Sequence, residues 1–232
     1  MITGHPTRVL LLVPLMAAWG CGAEPNGPSP GPDPDPPMAG PVGPQELPPP
    51  LRAEAISTGD PELDPLVSFL KASFAEEIKA GKKLVIEERT DLHLVHLGSS
   101  YEEFVESLLK EASDAVPEEM IRDFGDKNRR SRAVWPELTR LLPAHLMSPE
   151  EGGAIFSEEA DTNWRNFYEA YPDAAGLVTI SRVGLSRDKT RALFYLGQVR
   201  GSLDGHGQLH LLEKDGDQWV ERRVRIGSSW ES

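Results

Sequence analysis

Residues 176–226 read GLVTISRVGLSRDKTRALFYLGQVRGSLDGHGQLHLLEKDGDQWVERRVRI, and this stretch decides the fold class. Four apolar-rich segments follow one another in it: Gly176 to Gly184, Arg191 to Arg200, Gly207 to Lys214 and Gln218 to Ile226. Their β-branched and aromatic residues and their period of two mark strands. In the second segment Ala192, Phe194 and Leu196 point one way, and Leu193, Tyr195 and Val199 the other. Asp188, Asp204-Gly205 and Asp215-Gly216 stand at the joints, where tight turns are expected. The joints are too short for helical crossovers, so the strands pair antiparallel.

Upstream of this run the pattern turns helical. Trp164, Phe167, Tyr168 and Tyr171 fall within two turns of a helix capped by Asp161 and stopped by Pro172. Asp60-Pro61 opens an earlier helix, with Leu66, Phe69, Leu70 and Phe74 on one face and Gly81 beyond its end. Lys83 to Leu97 predicts a pair of strands. Ser100-Tyr101-Glu102-Glu103 has the form of a capping box, followed by Phe104, Leu108 and Ala112 at helical spacing. Pro117 opens a short helix through Ile121 and Phe124, and a polar run follows from Lys127 to Arg132. Two more short helices are predicted, from Trp135 to Leu142 and from Ser148. The sum is one α+β domain over residues 51–232, a mostly helical first half packed on a C-terminal antiparallel β-meander of about four strands.

The amino-terminal side is of another kind. In residues 1–20 a weakly basic start with His5 and Arg8 leads into an apolar run from Val9 to Trp19, then Gly20. This is the three-part pattern of an export signal peptide, and the run is too short to span a bilayer. Residues 23–50 hold twelve of the chain's 21 prolines, so they cannot build a core. A disordered tether biased toward polyproline II is expected there, reaching on the order of 80 Å when extended.

The chain has 232 residues, one cysteine and a net charge of −13. A single cysteine excludes internal disulfides and thiolate-rich zinc sites. The acidic balance argues against nucleic acid as a partner.

Ala18-Trp19-Gly20-Cys21 resembles the lipobox of bacterial lipoproteins. Ala18 stands where that family prefers Leu, and Trp19 where it prefers a small residue. The resemblance implies cleavage between Gly20 and Cys21, acylation of Cys21 and a membrane held through the lipid (palmitate among its chains). Gly22, not being Asp, implies the outer membrane. A second resemblance covers roughly 70 residues: Trp164-x-x-Phe167-Tyr168, Ser181-Arg182-Val183-Gly184, Gly201-x-Leu203-x-Gly205-x-Gly207, Lys214 before Trp219, and Trp230. These elements resemble a group of uncharacterised exported bacterial proteins, and this brings no activity with it.

The residues offer few chemical constellations. His93 and His96 are three apart in a predicted strand, which points them to opposite faces. His206 and His210 straddle a predicted turn and strand start with no acid cluster beside them. Arg182 sits between apolar neighbours and needs a partner if buried; an internal salt bridge and a ligand-facing role are both open to it. Arg182, His206 and His210 are therefore the candidate ligand-facing residues. No catalytic residue, metal ligand or cofactor is assigned. The expected function is a lipid-anchored, cell-envelope, non-enzymatic binding or scaffolding domain with an unidentified protein or envelope partner. The alternatives are an envelope hydrolase built from scattered residues and an immunity or inhibitor protein.

Overall fold

The apolar run at 192–198 is buried on both of its sides, because consecutive residues belong to different cores. Ala192, Phe194 and Leu196 lie in one and Leu193 and Tyr195 in another. The sheet carrying them is therefore covered on both faces. The computed structural model describes residues 49–90, 100–112, 116–156, 160–222 and 230–231. His93, His96, Gly20, Cys21, the leader and most of the proline-rich segment lie outside the described residues.

The predicted meander is present as β4 (Ala174–Ile180), β6 (Arg191–Gly201), β7 (Asp204–Asp215) and β8 (Gln218–Arg222), each antiparallel to the next. Short β5 (Gly184–Leu185) adds to β6 and β9 (Trp230–Glu231) to β7.

Strands are not confined to the C-terminal half, which corrects the expected layout. β1 (Arg52–Glu54) pairs with β8, while β2 (Lys83–Glu87) and β3 (Ala144–Met147) extend the other side, in the order β1-β8-β7-β6-β4-β2-β3. Nor is the sheet wholly antiparallel. β2 runs parallel to both β3 and β4, since helices fill the connections and allow crossovers.

Helix α1 (Leu63–Ser73) shows how the first core is built. Leu63, Leu66, Val67, Leu70 and Phe74 recur at three- and four-residue spacing and are buried against Phe194, Leu212 and Trp219. Each such side chain contributes about 2 kcal/mol by leaving water. Asp60 starts the helix: its carboxylate accepts from Glu62 N at 2.9 Å and its carbonyl from Leu63 and Asp64. α2 (Ala75–Lys79) follows, and Gly81, at φ 82°, turns the chain into β2.

On the other face α3 (Tyr101–Glu111) and α4 (Glu118–Asn128) bring Phe104, Leu108, Met120, Ile121 and Phe124 onto Leu193 and Tyr195. α4 is longer than predicted and takes in Lys127. Gly184 permits its approach: a Cβ there would lie 2.4 Å from Phe124 Cβ. A one-turn α5 (Leu138–Leu141), α6 (Pro149–Ile155) and α7 (Ala160–Ala170) complete the helices described. Phe167 of α7 packs with Val85, Met147 and Ile155 in a third core. Among the described residues no helix is long and apolar enough to cross a membrane.

Candidate functional site

Arg182 lies in the segment between β4 and β5 rather than within a strand. Its guanidinium meets Glu62 Oε2 at 3.0 Å and lies 3.8 Å over the Trp135 ring. Trp135 in turn donates from Nε1 to Asp60 at 2.9 Å. The second oxygen of Glu62 faces Lys127 Nζ at 3.2 Å, and Lys127 also contacts Asp123 at 2.6 Å and donates to Val183 O. Asn128 closes the backbone, accepting from Arg182 N and donating to Arg182 O. The start of α1, helix α4 and the turn into β5 are thus fastened at one point.

A shallow cleft of about 420 Å³ opens beside this cluster, lined by Glu62, Asp123, Lys127, Ser186, Arg187 and Lys189 among others. Of its charged lining, Glu62 already faces Arg182 and Lys127, and Lys127 faces Asp123. Between Arg187 and Lys189 in the chain, Asp188 accepts from Ser186 Oγ and Thr190 N, which holds its carboxyl at about 2, below the usual range.

His206 and His210 both lie on β7, four residues apart and on one face. At about 3.3 Å per residue their Cα atoms stand roughly 13 Å apart, too far to share a ligand atom. His206 sits opposite Gln198. His210 is buried, pairs with Glu221 at 2.7 Å, and stacks on Phe194 with Phe69 alongside. Neither joins Arg182 in a common site.

The C-terminal elements of the second resemblance also have internal roles. Ser181 Oγ accepts from Tyr195 N at 2.8 Å. Trp230 Nε1 donates to Tyr195 Oη at 2.9 Å, over Gly207, where any Cβ would strike both rings. Lys214 lies across the sheet from Trp219, with Nζ 5.9 Å from its ring centre. The glycine-rich stretch from Gly201 is the hairpin between β6 and β7, turning at Ser202-Leu203.

One convergence had no counterpart in the sequence reading. His145 on β3, Glu151 in α6 and Tyr171 just after α7 meet at their polar tips. His145 Nε2 is 3.1 Å from Glu151 Oε1, Tyr171 Oη donates to the same oxygen at 3.2 Å, and Tyr171 Oη lies 3.4 Å from His145 Nε2. Glu151 is fixed by a capping box: its other oxygen accepts from Ser148 N at 2.7 Å, while Glu151 N donates to Ser148 Oγ. That backbone N–H, then His145, draws the Glu151 carboxyl below its ordinary range. Desolvation, and then Glu151, push the Tyr171 phenol above its ordinary range. The side chains of His145 and Glu151 are 43% and 42% exposed, so this cluster is open to solvent. Spacings of 6 and 20 residues bear no motif; Tyr171 was legible only as part of the aromatic helix, and Ser148 only as the start of a helix.

Comparison with protein-family models, with characterised proteins and with solved structures finds no match.

Proposed function

We propose that this protein is an exported, lipid-anchored cell-envelope protein whose folded domain binds or scaffolds a protein partner and performs no catalysis. One observation carries the reading: the chain's only cysteine, Cys21, follows an apolar leader ending in Gly20 and precedes the proline-rich segment. An acyl chain on Cys21 supplies the anchor, the prolines supply reach, and Gly22 directs the protein to the outer membrane. The domain side is supported by the engagement of Arg182 with Glu62 and of His210 with Glu221, which gives both residues a role in holding the fold.

The test compares wild type with Cys21→Ser in a bacterium that processes lipoproteins, by intact mass and membrane fractionation. A diacyl or triacyl mass increment and membrane retention are expected in the wild type and lost in the variant. A wild type that is soluble and carries no acyl mass overturns the reading.

A further inference from the structure

We propose that His145, Glu151 and Tyr171 form a binding site for a single divalent late-transition ion of the zinc and copper class. The argument is geometric. Three donor atoms, one imidazole nitrogen, one carboxylate oxygen and one phenolic oxygen, form a triangle with sides of 3.1, 3.2 and 3.4 Å. Two ligands bound at about 2.1 Å lie roughly 3.0 Å apart around an octahedral ion and roughly 3.4 Å apart around a tetrahedral one. The measured sides span that interval, so one ion about 1 Å above the triangle reaches all three donors at ordinary bond lengths.

The donors come from three separate elements, and each is held. His145 is set by the pairing of β3 with β2, opposite Val85. Glu151 is oriented by Ser148, the kind of outer hydrogen bond that fixes a carboxylate ligand. Tyr171 packs against Phe167 at the end of α7, with ring centres 5.4 Å apart. Among the described residues no three His, Cys, Asp or Glu side chains form a metal cluster; here the third donor is a phenol.

Imidazole with oxygen donors suits zinc, nickel and copper, and divalent copper binds such sets most tightly. Binding takes place with the imidazole proton on Nδ1, leaving the Nε2 lone pair for the ion. The phenolic proton leaves to solvent as the oxygen binds. Glu151 binds as the carboxylate. The remaining coordination positions face solvent. The site is independent of Cys21 and of the anchor.

The full-length chain is titrated with Cu²⁺ and with Zn²⁺ against a competing chelator, alongside His145→Ala, Tyr171→Phe and a His206→Ala control. One ion per chain is expected. His145→Ala should weaken binding about tenfold or more, and His206→Ala should leave it unchanged. The copper form should show a visible phenolate-to-copper charge-transfer band that Tyr171→Phe abolishes. Circular dichroism of each variant confirms that it folds, and His145→Asn replaces His145→Ala if that variant does not. Binding that is unaltered in both the His145 and Tyr171 variants overturns the site, as does a wild type that takes up no ion.

Discussion

Arg182 and His145 are both basic side chains beside a glutamate, yet their surroundings differ in every other respect. Arg182 and Glu62 are 19% and 17% exposed, stacked on Trp135 and flanked by Lys127, Asp123 and Asn128. Partly buried charges of this kind are held by their partners, because removing one leaves the other with little water to replace it. His145 and Glu151 are more than twice as exposed, and water screens their pairing. The sequence features that singled out Arg182 reported burial, and burial here means a fastening point between α1, α4 and β5. The cluster open to solvent, where a ligand has access, is carried by residues of ordinary appearance.

Three substitutions sharpen or break this contrast. Arg182→Met should cost about 2 kcal/mol, below the scale for breaking a fully buried pair because both partners are only partly buried, read as a lower urea midpoint at unchanged slope. A loss near zero would place Arg182 with the surface ions and dissolve the distinction. Ser148→Ala should cost about 1 kcal/mol through loss of the helix cap. It also removes part of what lowers Glu151, so that carboxyl should titrate closer to its ordinary value by NMR. The sign follows from the depressed folded value. Glu151's stabilisation is complete above the ordinary glutamate range, about pH 4.3, and is lost as pH falls through the folded-state value; Ser148→Ala narrows that window. His145→Ala should move stability by no more than about 0.5 kcal/mol, by the same urea unfolding. A loss comparable to that of Arg182→Met would make the open cluster a structural fastening as well.

The meander was legible because its strands are long, and its turns are written in Asp and Gly. Gly216, at φ 58°, turns between β7 and β8 where Asp215-Gly216 predicts it. One turn is displaced: Asp204 and Gly205 already belong to β7, and the bend falls at Ser202-Leu203. The capping box at Ser100 was equally local, and so equally visible. β1 and β3 were not visible, because three or four residues carry too little periodicity and their partners lie far away in the chain. Ala53 faces Trp219, and only the assembled sheet brings them together. The same holds for the candidate site. Lys127 pairs with Asp123 only because α4 runs on past Phe124 to Asn128, and nothing local ties either to Glu62. His145, Glu151 and Tyr171 meet only once β3 has been laid beside β2 and α7 across Val85 and Met147.

The placement of β1 has a mechanical consequence. The chain enters the fold at an edge strand held by few bonds, Glu221 N to Leu51 O at one end and Ala55 N to Asp217 O at the other. With the amino-terminal side fixed and the domain pulled away, the load falls first on this strand. Stripping β1 from β8 would release up to about 10 Å of chain at roughly 3.3 Å per residue. The strain would then meet a second catch, where Ile56 N donates to Ser68 Oγ and Thr58 donates to Asp64 at the start of α1. Because Ala53 is buried in the first core and Leu51, Ala55 and Ile56 pack against it, peeling β1 away also uncovers one edge of that core.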